Sequence, residues 1–312
     1  MNEIAIIGSL NMDLLVKTDH MPVGGETLHG DEFHMIPGGK GGNQAVAVAR
    51  MGGQAVIFGR VGKDRFGDAL SQSLAADQVD ISHILVDAQA PTGVALIVVE
   101  GNGENRIIVV GGANRKVSPA DILAQEDVLR QASMLILQFE IPLEVVESVL
   151  LLGQRYAIPL MVNAAPAYAL ATDLIALIDY LVVNEHEAAT MSGLKVVDVE
   201  SARQAARKLR EYGARVVIIT LGALGALAVG PEGEDYVPGF SVPALDTTAA
   251  GDAFIGGLAV ALNGAQSSLA QKVRFANATG AITATRLGAQ SSLPTRAEVL
   301  AFLEREARAE IG

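Results

Sequence analysis

The chain has 312 residues, 50% of them hydrophobic, with 33 glycines, no cysteine and a formal net charge of −12. The large apolar fraction excludes an intrinsically disordered chain, and the lack of cysteine excludes disulfides, thiolate catalysis and zinc–thiolate sites. The acidic balance argues against a nucleic-acid surface, which needs clustered Lys and Arg, but it leaves local binding of small anions open.

The sequence contains no segment typical of a membrane span or of a secretory signal. The most apolar region, 158–183, is interrupted by two prolines and two aspartates. Glu3 lies where a secretory signal would carry Lys or Arg. Together with the absence of cysteine, these features predict a cytoplasmic protein without a membrane or nucleic-acid partner.

Short apolar runs alternate with helical segments along most of the chain. The runs typical of buried parallel strands are Ile4 to Ile7, Ala55 to Phe58, Met134 to Leu137, Pro159 to Val162, Tyr180 to Val183 and Val216 to Ile219. Helices are predicted between them, for example over 120–130 after Ser118-Pro119 and over 200–212 before Gly213. This order predicts an α/β fold with a doubly wound, mostly parallel sheet flanked by helices, in a single domain over residues 1–312.

Two segments interrupt that alternation. Residues 92–100 and 106–110 have the pattern of two strands joined by a glycine-containing connection at 101–105, and Glu32 to Ile36 is a third short strand. We expect these pieces to form a small antiparallel β lid, inserted at about residues 12–36 and 91–111. The alternative is an extension of the edge of the main sheet.

The common nucleotide fingerprints are missing. Residues 8–13 follow the first strand but lack the G-x-G-x-x-G spacing of a dinucleotide site. Residues 59–64 lack the spacing and the Ser or Thr of a P-loop, and the five histidines show no paired metal spacing.

A glycine-rich segment, residues 37–43, precedes a predicted helix from Gln44 to Met51. Glycines at such a place let the backbone approach a ligand closely, while Lys40 and Asn43 supply donors for hydroxyl or phosphate groups. A flexible turn explains the same glycines equally well.

A second small-residue segment, residues 246–252, precedes a predicted helix from Ala253 to Leu262. If the helix begins near residue 250, the N–H groups of Ala250, Gly251 and Asp252 form an anion hole at the positive end of the helix dipole. A carboxylate at the same position could accept a proton from a hydroxyl during phosphoryl transfer. The alternative is simple helix capping.

Two further motifs follow predicted strands. Asn184 and Glu187 have the spacing of a capping box, or they reach an Mg²⁺–phosphate group through water. Residues 220–225 read either as a hairpin turn or as a glycine-rich strap at the carboxyl end of a strand, where open α/β sheets bind ligands.

Taken together, these motifs resemble the ribokinase-like (PfkB) sugar kinase family. The matching segments, in the order of the family, are residues 8–13, 38–45, 163–167, 184–187, 220–222 and 246–252. The resemblance extends from Ile4 to about Pro294, and 246–252 is its most specific part. It implies ATP-dependent transfer of the γ-phosphoryl group to the 5-hydroxyl of D-ribose, with Mg²⁺ accompanying ATP.

The resemblance also implies the site residues. Asp252 corresponds to the catalytic base, and Ala250, Gly251 and Asp252 correspond to the anion hole. The implied sugar-binding positions are Asn11, Asp13, Gly38, Gly39, Lys40, Asn43, Glu140 and Asp252. The implied positions near ATP and its Mg²⁺ are Asn184, Glu187, Thr220, Gly222, Gly225, Gly251 and Asn277.

A potassium site and a homodimer are further implications of the resemblance. The potassium ligands would be the carboxylate of Asp246, the carbonyls of Thr248, Thr283, Arg286 and Gly288, and the hydroxyl of Ser292. Oxygen ligands with one fixed charge suit a large monovalent ion better than Mg²⁺. The dimer would form through the β lid.

Other functions remain open at this point. A related kinase could act on deoxyribose, a ketohexose or a nucleoside. A catalytically silent sugar- or nucleotide-binding protein could use the same scaffold. A NAD-dependent oxidoreductase is disfavoured because the dinucleotide fingerprint is missing.

Overall fold

The computed structural model describes residues 3–101, 105–264 and 267–309. The strands are β1 (Glu3–Ile7), β2 (Asn11–Thr18), β3 (Glu32–Gly38), β4 (Gln54–Gly62), β5 (Ile84–Asp87), β6 (Gly93–Glu100), β7 (Asn105–Val110), β8 (Met134–Leu137), β9 (Leu160–Asn163), β10 (Tyr180–Asn184), β11 (Val216–Thr220), β12 (Gly225–Gly230) and β13 (Gly233–Pro238). The helices are α1 (Lys40–Arg50), α2 (Arg65–Ala76), α3 (Pro119–Leu123), α4 (Glu126–Leu129), α5 (Leu143–Tyr156), α6 (Thr172–Ile175), α7 (Glu185–Ser192), α8 (Val199–Glu211), α9 (Ala250–Asn263), α10 (Leu269–Ala284) and α11 (Arg296–Ala309). Within the described ranges, no helix combines the length and apolar character needed to cross a bilayer.

The main sheet has nine strands in the order β13-β12-β11-β10-β9-β8-β1-β4-β5. The pairings from β11 to β5 are parallel, whereas β12 and β13 add an antiparallel edge. The central strand β1 pairs on both sides, so that Ile4 faces Ala55 on β4 and Met134 on β8. The predicted doubly wound, mostly parallel sheet is confirmed.

Each face of this sheet carries its own hydrophobic core. Ala5 and Ile7 point into the core formed with α5, α7 and α8, and Ile4 and Ile6 point into the core formed with α1, α2, α9 and α10. This alternation follows from the two-residue period of a strand. Because both faces are covered, the strands are apolar on both sides, which explains their continuous apolar runs.

A second, smaller sheet has the order β3-β2-β6-β7. Its two outer pairings are antiparallel, as expected for the lid, but the central pair β2–β6 is parallel. The sheet is separate from the main one and does not extend its edge. Part of the predicted connection between β6 and β7, residues 102–104, lies outside the described residues.

Two helix predictions need correction. The helix predicted from Gln44 begins four residues earlier, at Lys40, so the second half of the glycine-rich segment is its first turn. The helix predicted over 120–130 consists of two short helices, α3 and α4, separated at Ala124 and Gln125. In the first case tertiary packing overrides the low helix propensity of glycine, because a Cβ on Gly41 would lie 2.6 Å from the backbone of Gly8.

Candidate active site

A polar cavity of about 230 Å³ lies at the carboxyl edge of the parallel strands. Asn163, Asn184 and Thr220, the last residues of β9, β10 and β11, line it together with Lys40 and Asp252. Neighbouring parallel strands end at the same edge of a sheet, so residues far apart in sequence converge there. The fold thus brings six of the predicted site residues to one cavity: Lys40, Asn184, Glu187, Thr220, Gly251 and Asp252.

Asp252 lies in the first turn of α9 and is 7% exposed. Each of its carboxylate oxygens accepts one hydrogen bond: Oδ2 from Asn43 Nδ2 at 2.9 Å, and Oδ1 from Gln44 Nε2 at 2.8 Å. Burial raises the pKa of Asp252, while Lys40 and these two amides oppose the increase. A carboxylate whose pKa is raised is a stronger proton acceptor, which suits a general base.

Lys40 is the first residue of α1 and faces four carboxylates. Burial alone would lower the pKa of Lys40, but the charges of Asp252, Glu140, Glu187 and Asp13 raise it. Lys40 therefore stays a cation, and it forms no ion pair within 4.0 Å among the described residues. Its ammonium is therefore available to an anionic ligand.

From the smaller sheet, β2 supplies Asn11 and Asp13, both buried. Burial and the charges of Glu140 and Asp252 together raise the pKa of Asp13 to about 7, against the opposing effect of Lys40. Asn114 fixes the neighbouring segment, because its amide accepts from Leu10 N at 2.9 Å and donates to Asn11 Oδ1 at 2.8 Å. Acceptors and donors placed in this way suit the hydroxyls of a sugar.

Close contacts require glycine at two positions of the glycine-rich segment 37–43. A Cβ on Gly38 would lie 2.3 Å from Asp13 Oδ2, and Gly39 has a φ of 85° with its Cα facing the amide of Asn11. Glu140, which follows β8, accepts from Ser9 Oγ and, at 3.4 Å, from Lys40 N. The predicted sugar residues therefore lie together around Asp13 and Asp252.

Asn43 carries an unsatisfied acceptor at this position. Its Nδ2 is bonded to Asp252, and its Oδ1 is buried without a hydrogen-bond partner in the described structure. Buried polar atoms normally have partners, so this oxygen is suited to accept a hydrogen bond from a ligand hydroxyl.

At the N-terminus of α9, one of the three amides predicted to form the anion hole already has an acceptor. Ala250 N donates to Thr247 O at 3.2 Å, so this donor is engaged in the ligand-free protein. A Cβ built on Gly251 meets no described atom within 4 Å, so there is open space at the side-chain position of this residue. The amides of Gly251 and Asp252 belong to the first helical turn and have no intrahelical acceptor. Anions are stabilised at this end of the helix dipole.

Asn184 and Glu187 form the capping box of α7. Glu187 N donates to Asn184 Oδ1 and Asn184 N donates to Glu187 Oε2, both at 2.8 Å. Burial raises the pKa of Glu187, while its bond to Asn184 and the charge of Lys40 lower it. Because both residues also line the cavity, capping and ligand binding are compatible here.

Three of the residues assigned to ATP have structural roles. Gly222 and Gly225 have positive φ angles in the turn between the antiparallel strands β11 and β12, so the hairpin interpretation is correct for the backbone. A Cβ on Gly225 would lie 2.2 Å from Val237 O, which requires glycine for packing alone. Asn277 Nδ2 donates to Val237 O and Pro238 O, and Asn277 does not line the cavity around Lys40.

Three of the predicted potassium ligands are connected by hydrogen bonds. Asp246 Oδ1 accepts from Thr248 N and Asp246 Oδ2 accepts from Gly288 N, each at 2.9 Å. The guanidinium of Arg286 donates to Glu298 Oε1 at 2.5 Å, so the side chain of this predicted ligand is engaged elsewhere. The donor set consists of oxygen atoms with one carboxylate, which fits a monovalent cation. In the described ranges no group of three or more His, Asp or Glu side chains is arranged to hold a metal ion.

Sequence reasoning missed the amide residues that are hydrogen-bonded to Asp252 through Gln44. Gln44 and Gln138 are fully buried, and Asn163 Oδ1 accepts from Gln44 Nε2 at 3.1 Å. Gln44 and Gln138 are separated by 94 residues and Gln44 and Asn163 by 119, so no local pattern links them. The available signals were the positions of Gln44 and Asn163 within segments 38–45 and 163–167, which carry the family resemblance, and the presence of Gln138 next to an apolar run.

Comparison with known proteins agrees with this geometry. A family model for pfkB family carbohydrate kinases matches residues 1–296. A ribokinase of Schizosaccharomyces pombe is 42% identical, over 96% of this chain and 97% of its own length. A ribokinase of Haemophilus influenzae is 38% identical, over 96% and 98%. A deoxyribokinase of Salmonella typhi is 36% identical, over 94% and 96%.

Solved structures give the same result. Thermotoga maritima ribokinase superposes with a TM-score of 0.88 at 37% identity, covering 97% of this chain and 100% of that chain. Arabidopsis thaliana ribokinase complexed with ribose and ATP superposes with a TM-score of 0.90 at 29% identity, covering 97% and 98%.

Proposed function

Because the chain belongs to the pfkB family of carbohydrate kinases, a family of phosphotransferases with alcohol acceptors, we propose that it transfers the γ-phosphoryl group of ATP to the 5-hydroxyl of D-ribose. The observation that carries this proposal is Asp252, buried at the start of α9, with both oxygens held by Asn43 and Gln44 and with Lys40 nearby. Two relatives that are ribokinases match over nearly their full length, which favours ribose as the acceptor.

Each group has a defined role in the reaction. Asp13, Asn43 and Glu140 hold the sugar hydroxyls so that the 5-hydroxyl lies against Asp252. The Asp252 carboxylate accepts the hydroxyl proton as the oxygen attacks the γ-phosphorus and the bond to the β-phosphate breaks. Lys40 and the amides of α9 stabilise the negative charge on the transferred group. Positioning supplies most of the catalysis, because the loose transition state leaves little covalent chemistry to the protein.

Two cations complete the proposal. Mg²⁺ bound to ATP would be reached through water by Asn184 and Glu187, whose capping bonds leave Glu187 Oε1 uncommitted in the described structure. It supplies charge neutralisation on the phosphates when bound. Potassium would be held by the oxygen cluster around Asp246, next to α9. Turnover in Na⁺-only buffer is expected to fall well below that in K⁺ buffer, and equal rates in cation-free and K⁺ solutions would contradict this assignment.

We also propose that the second sheet is the lid and that its outer face joins two copies of the chain. All of β7 is exposed at the sheet edge, including Ile108 at 59% and Val109 at 52%, and Phe33 on β3 is 60% exposed. A long apolar edge strand is an aggregation hazard unless a partner covers it. Light scattering should show a dimer that Ile108→Lys dissociates and that the exposed α5 control Leu151→Lys leaves intact. The single-domain extent and the cytoplasmic location stay predictions.

The base assignment is tested by substitution of Asp252. Asp252→Asn should lower kcat by roughly 10²–10⁴-fold while the KM for ATP changes little, because asparagine keeps the shape but cannot take the proton. The matched control is Asp68→Asn, an exposed aspartate in the first turn of α2. Unchanged phosphorylation by Asp252→Asn would remove the assignment, and NAD reduction with a sugar would favour an oxidoreductase.

Deoxyribose is the second candidate acceptor. The observation that favours it is the 36% identity to a deoxyribokinase over nearly the whole chain. A panel of ribose, deoxyribose, a ketohexose and a nucleoside with ATP, followed by ADP release, separates the candidates. Negligible turnover of ribose beside rapid turnover of another sugar would refute the proposed acceptor, and no turnover with any of them would favour a binding protein.

A further inference from the structure

A chain of amide side chains connects Asp252 to the backbone of β10. Gln44 and Gln138 are 0% exposed, although glutamine is rarely found fully inside a protein. Burying an amide is costly unless its hydrogen bonds are made, so residues of this kind in a core need a specific role.

The chain is continuous from the backbone of β10 to the base. Asn163 Nδ2 donates to Val182 O at 3.4 Å, and Gln44 Nε2 donates to Asn163 Oδ1 at 3.1 Å and to Asp252 Oδ1 at 2.8 Å. From the other side, Gln138 Nε2 donates to Gln44 Oε1 at 2.6 Å. Gln44 is thereby held at both ends of its amide.

The backbone end of the chain sets the direction of these bonds. A backbone carbonyl can only accept, so Val182 O fixes the NH₂ group of Asn163 toward itself and leaves Asn163 Oδ1 as an acceptor. Gln44 must then turn its NH₂ group toward Asn163, and the other hydrogen of that group points at Asp252. Gln138 occupies the carbonyl of Gln44 and opposes the reversed orientation. The partner of Gln44 at Asp252 therefore has to be an acceptor.

We propose that Gln44 is a positioning residue for phosphoryl transfer, which holds Asp252 as an ionised carboxylate in a fixed orientation, with Asn163 and Gln138 fixing Gln44 in turn. This inference rests on the proposed function, in which Asp252 is the base. Gln44 does not contact the reacting atoms and acts only through Asp252. If Asp252 carried a proton on Oδ1, this oxygen would face the N–H of Gln44 with a second donor. The amide therefore favours the ionised carboxylate, which is the form that can take a proton from the sugar.

The charges around Asp252 act in opposite directions, and the hydrogen bonds from Asn43 and Gln44 add to the effect of Lys40. Lys40 on α1 favours the carboxylate, whereas Glu140 after β8, Asp13 on β2 and Glu187 on α7 repel it. Burial raises the pKa of Asp252, and the bonds from Asn43 and Gln44 lower it. Removing the Gln44 donor is therefore expected to raise the pKa of Asp252 further.

The end of β1 is shaped around the same chain. A Cβ on Gly8 would lie 2.0 Å from Gln138 Oε1 and 2.9 Å from Gly41 Cα. The glycine that follows β1 thus makes room both for the amide of Gln138 and for the first turn of α1, the helix on which Lys40 and Gln44 lie.

The test is the pH dependence of catalysis in Gln44→Met, which keeps the length of the side chain and removes its donor. The acid limb of kcat/KM should move up by about one pH unit, which corresponds to a roughly tenfold loss below the limb and little change on the plateau. The KM for ATP should stay the same. Gln138→Met should move the limb in the same direction by less, because Gln44 keeps its contact with Asp252.

The control is Thr279→Val on α10. Thr279 is fully buried against Gly257 of α9 and donates to Phe275 O at 2.9 Å, so its loss removes a buried hydrogen bond beside the same helix without touching Asp252. It should lower the melting temperature and leave the limb in place. An unmoved limb in Gln44→Met, with a loss of stability like that of the control, would overturn the inference.

A second measurement does not depend on turnover. The carboxyl ¹³C signal of Asp252, assigned by its absence in Asp252→Asn, can be titrated in the ligand-free protein. Its midpoint should rise by about one pH unit in Gln44→Met, and in Gln138→Met if the first variant does not fold. An unchanged midpoint refutes the role of Gln44, whereas a shifted midpoint together with full activity of Asp252→Asn would refute the proposed base and leave the amide chain intact.

Discussion

The ionisation of Asp13 provides the sharpest test of the electrostatics of the site. Asp13 is 8% exposed, and burial together with Glu140 and Asp252 raises its pKa from 3.8 to about 7. In the unfolded chain Asp13 releases its proton near the lower value, and in the folded protein it does so near the higher one. Between them the folded state binds more protons, so its stability falls as the pH rises through this window.

The size of this effect follows from the two pKa values. At about 1.36 kcal/mol per pKa unit, the interval from 3.8 to about 7 corresponds to about 4 kcal/mol of stability lost by the ligand-free protein above pH 7. About 3 kcal/mol of this loss develops between pH 5 and pH 8. Asp13→Asn cannot ionise, so its stability should not show this part of the pH dependence.

The assay is urea unfolding of the parent and of Asp13→Asn, without ligands, near pH 5 and near pH 8. The variant should gain about 3 kcal/mol relative to the parent on going from the lower to the higher pH. Taking the difference between the two pH values removes any constant effect of replacing the carboxyl by an amide. The same relative stability at both pH values would refute a raised pKa for Asp13. Calorimetry should also show that the variant binds ribose more weakly, because the ionised Asp13 lowers the stability of the protein but binds a sugar hydroxyl.

Three further substitutions test the geometry. Gly38→Ala places a Cβ 2.3 Å from Asp13 Oδ2, so the KM for the sugar should rise at least tenfold while ATP binding, followed by fluorescence, is retained. Gly41→Ala brings a Cβ to 2.6 Å from backbone and should cost about 2 kcal/mol in urea unfolding; an unchanged midpoint would contradict the close approach of α1 to β1. Asn114→Ala releases Asn11 and should raise the KM for the sugar about tenfold through the loss of a buried hydrogen bond, and normal sugar kinetics would exclude a role for this contact.

The parts of the fold that depend on local pattern were predictable from the sequence, and the parts that depend on distant contacts were not. Runs such as Met134 to Leu137 predicted buried parallel strands, because a strand covered on both faces of the sheet consists of consecutive apolar residues. By contrast, β2 pairs in parallel with β6 across more than 80 residues, and no local signal specifies that neighbour. The start of α1 at Lys40 was missed for a related reason, since glycines that look like a loop are selected by contact with β1.

The same distinction applies to the site. The position of Asp252 at the start of a helix could be predicted from the small residues that precede it. The sequence alone left two interpretations of this aspartate, helix capping and catalysis. The orientation of its carboxylate could not be predicted, because it depends on Gln44, which lies 208 residues away in sequence. A motif therefore locates the reacting group, and the structure supplies the bonds that determine its ionisation and direction.

The balance of charge in the cavity explains how an acidic chain can take a triphosphate. Lys40 faces the carboxylates of Asp13, Glu140, Glu187 and Asp252, so the cavity is negative and disfavours a free phosphate chain. A triphosphate whose charge is partly neutralised by a divalent cation meets less repulsion, and the same carboxylates attract that cation. The amides of α9 add stabilisation without a counter-charge. Under the proposed function, the groups around Asp252 therefore favour a metal-bound nucleotide without a basic protein surface.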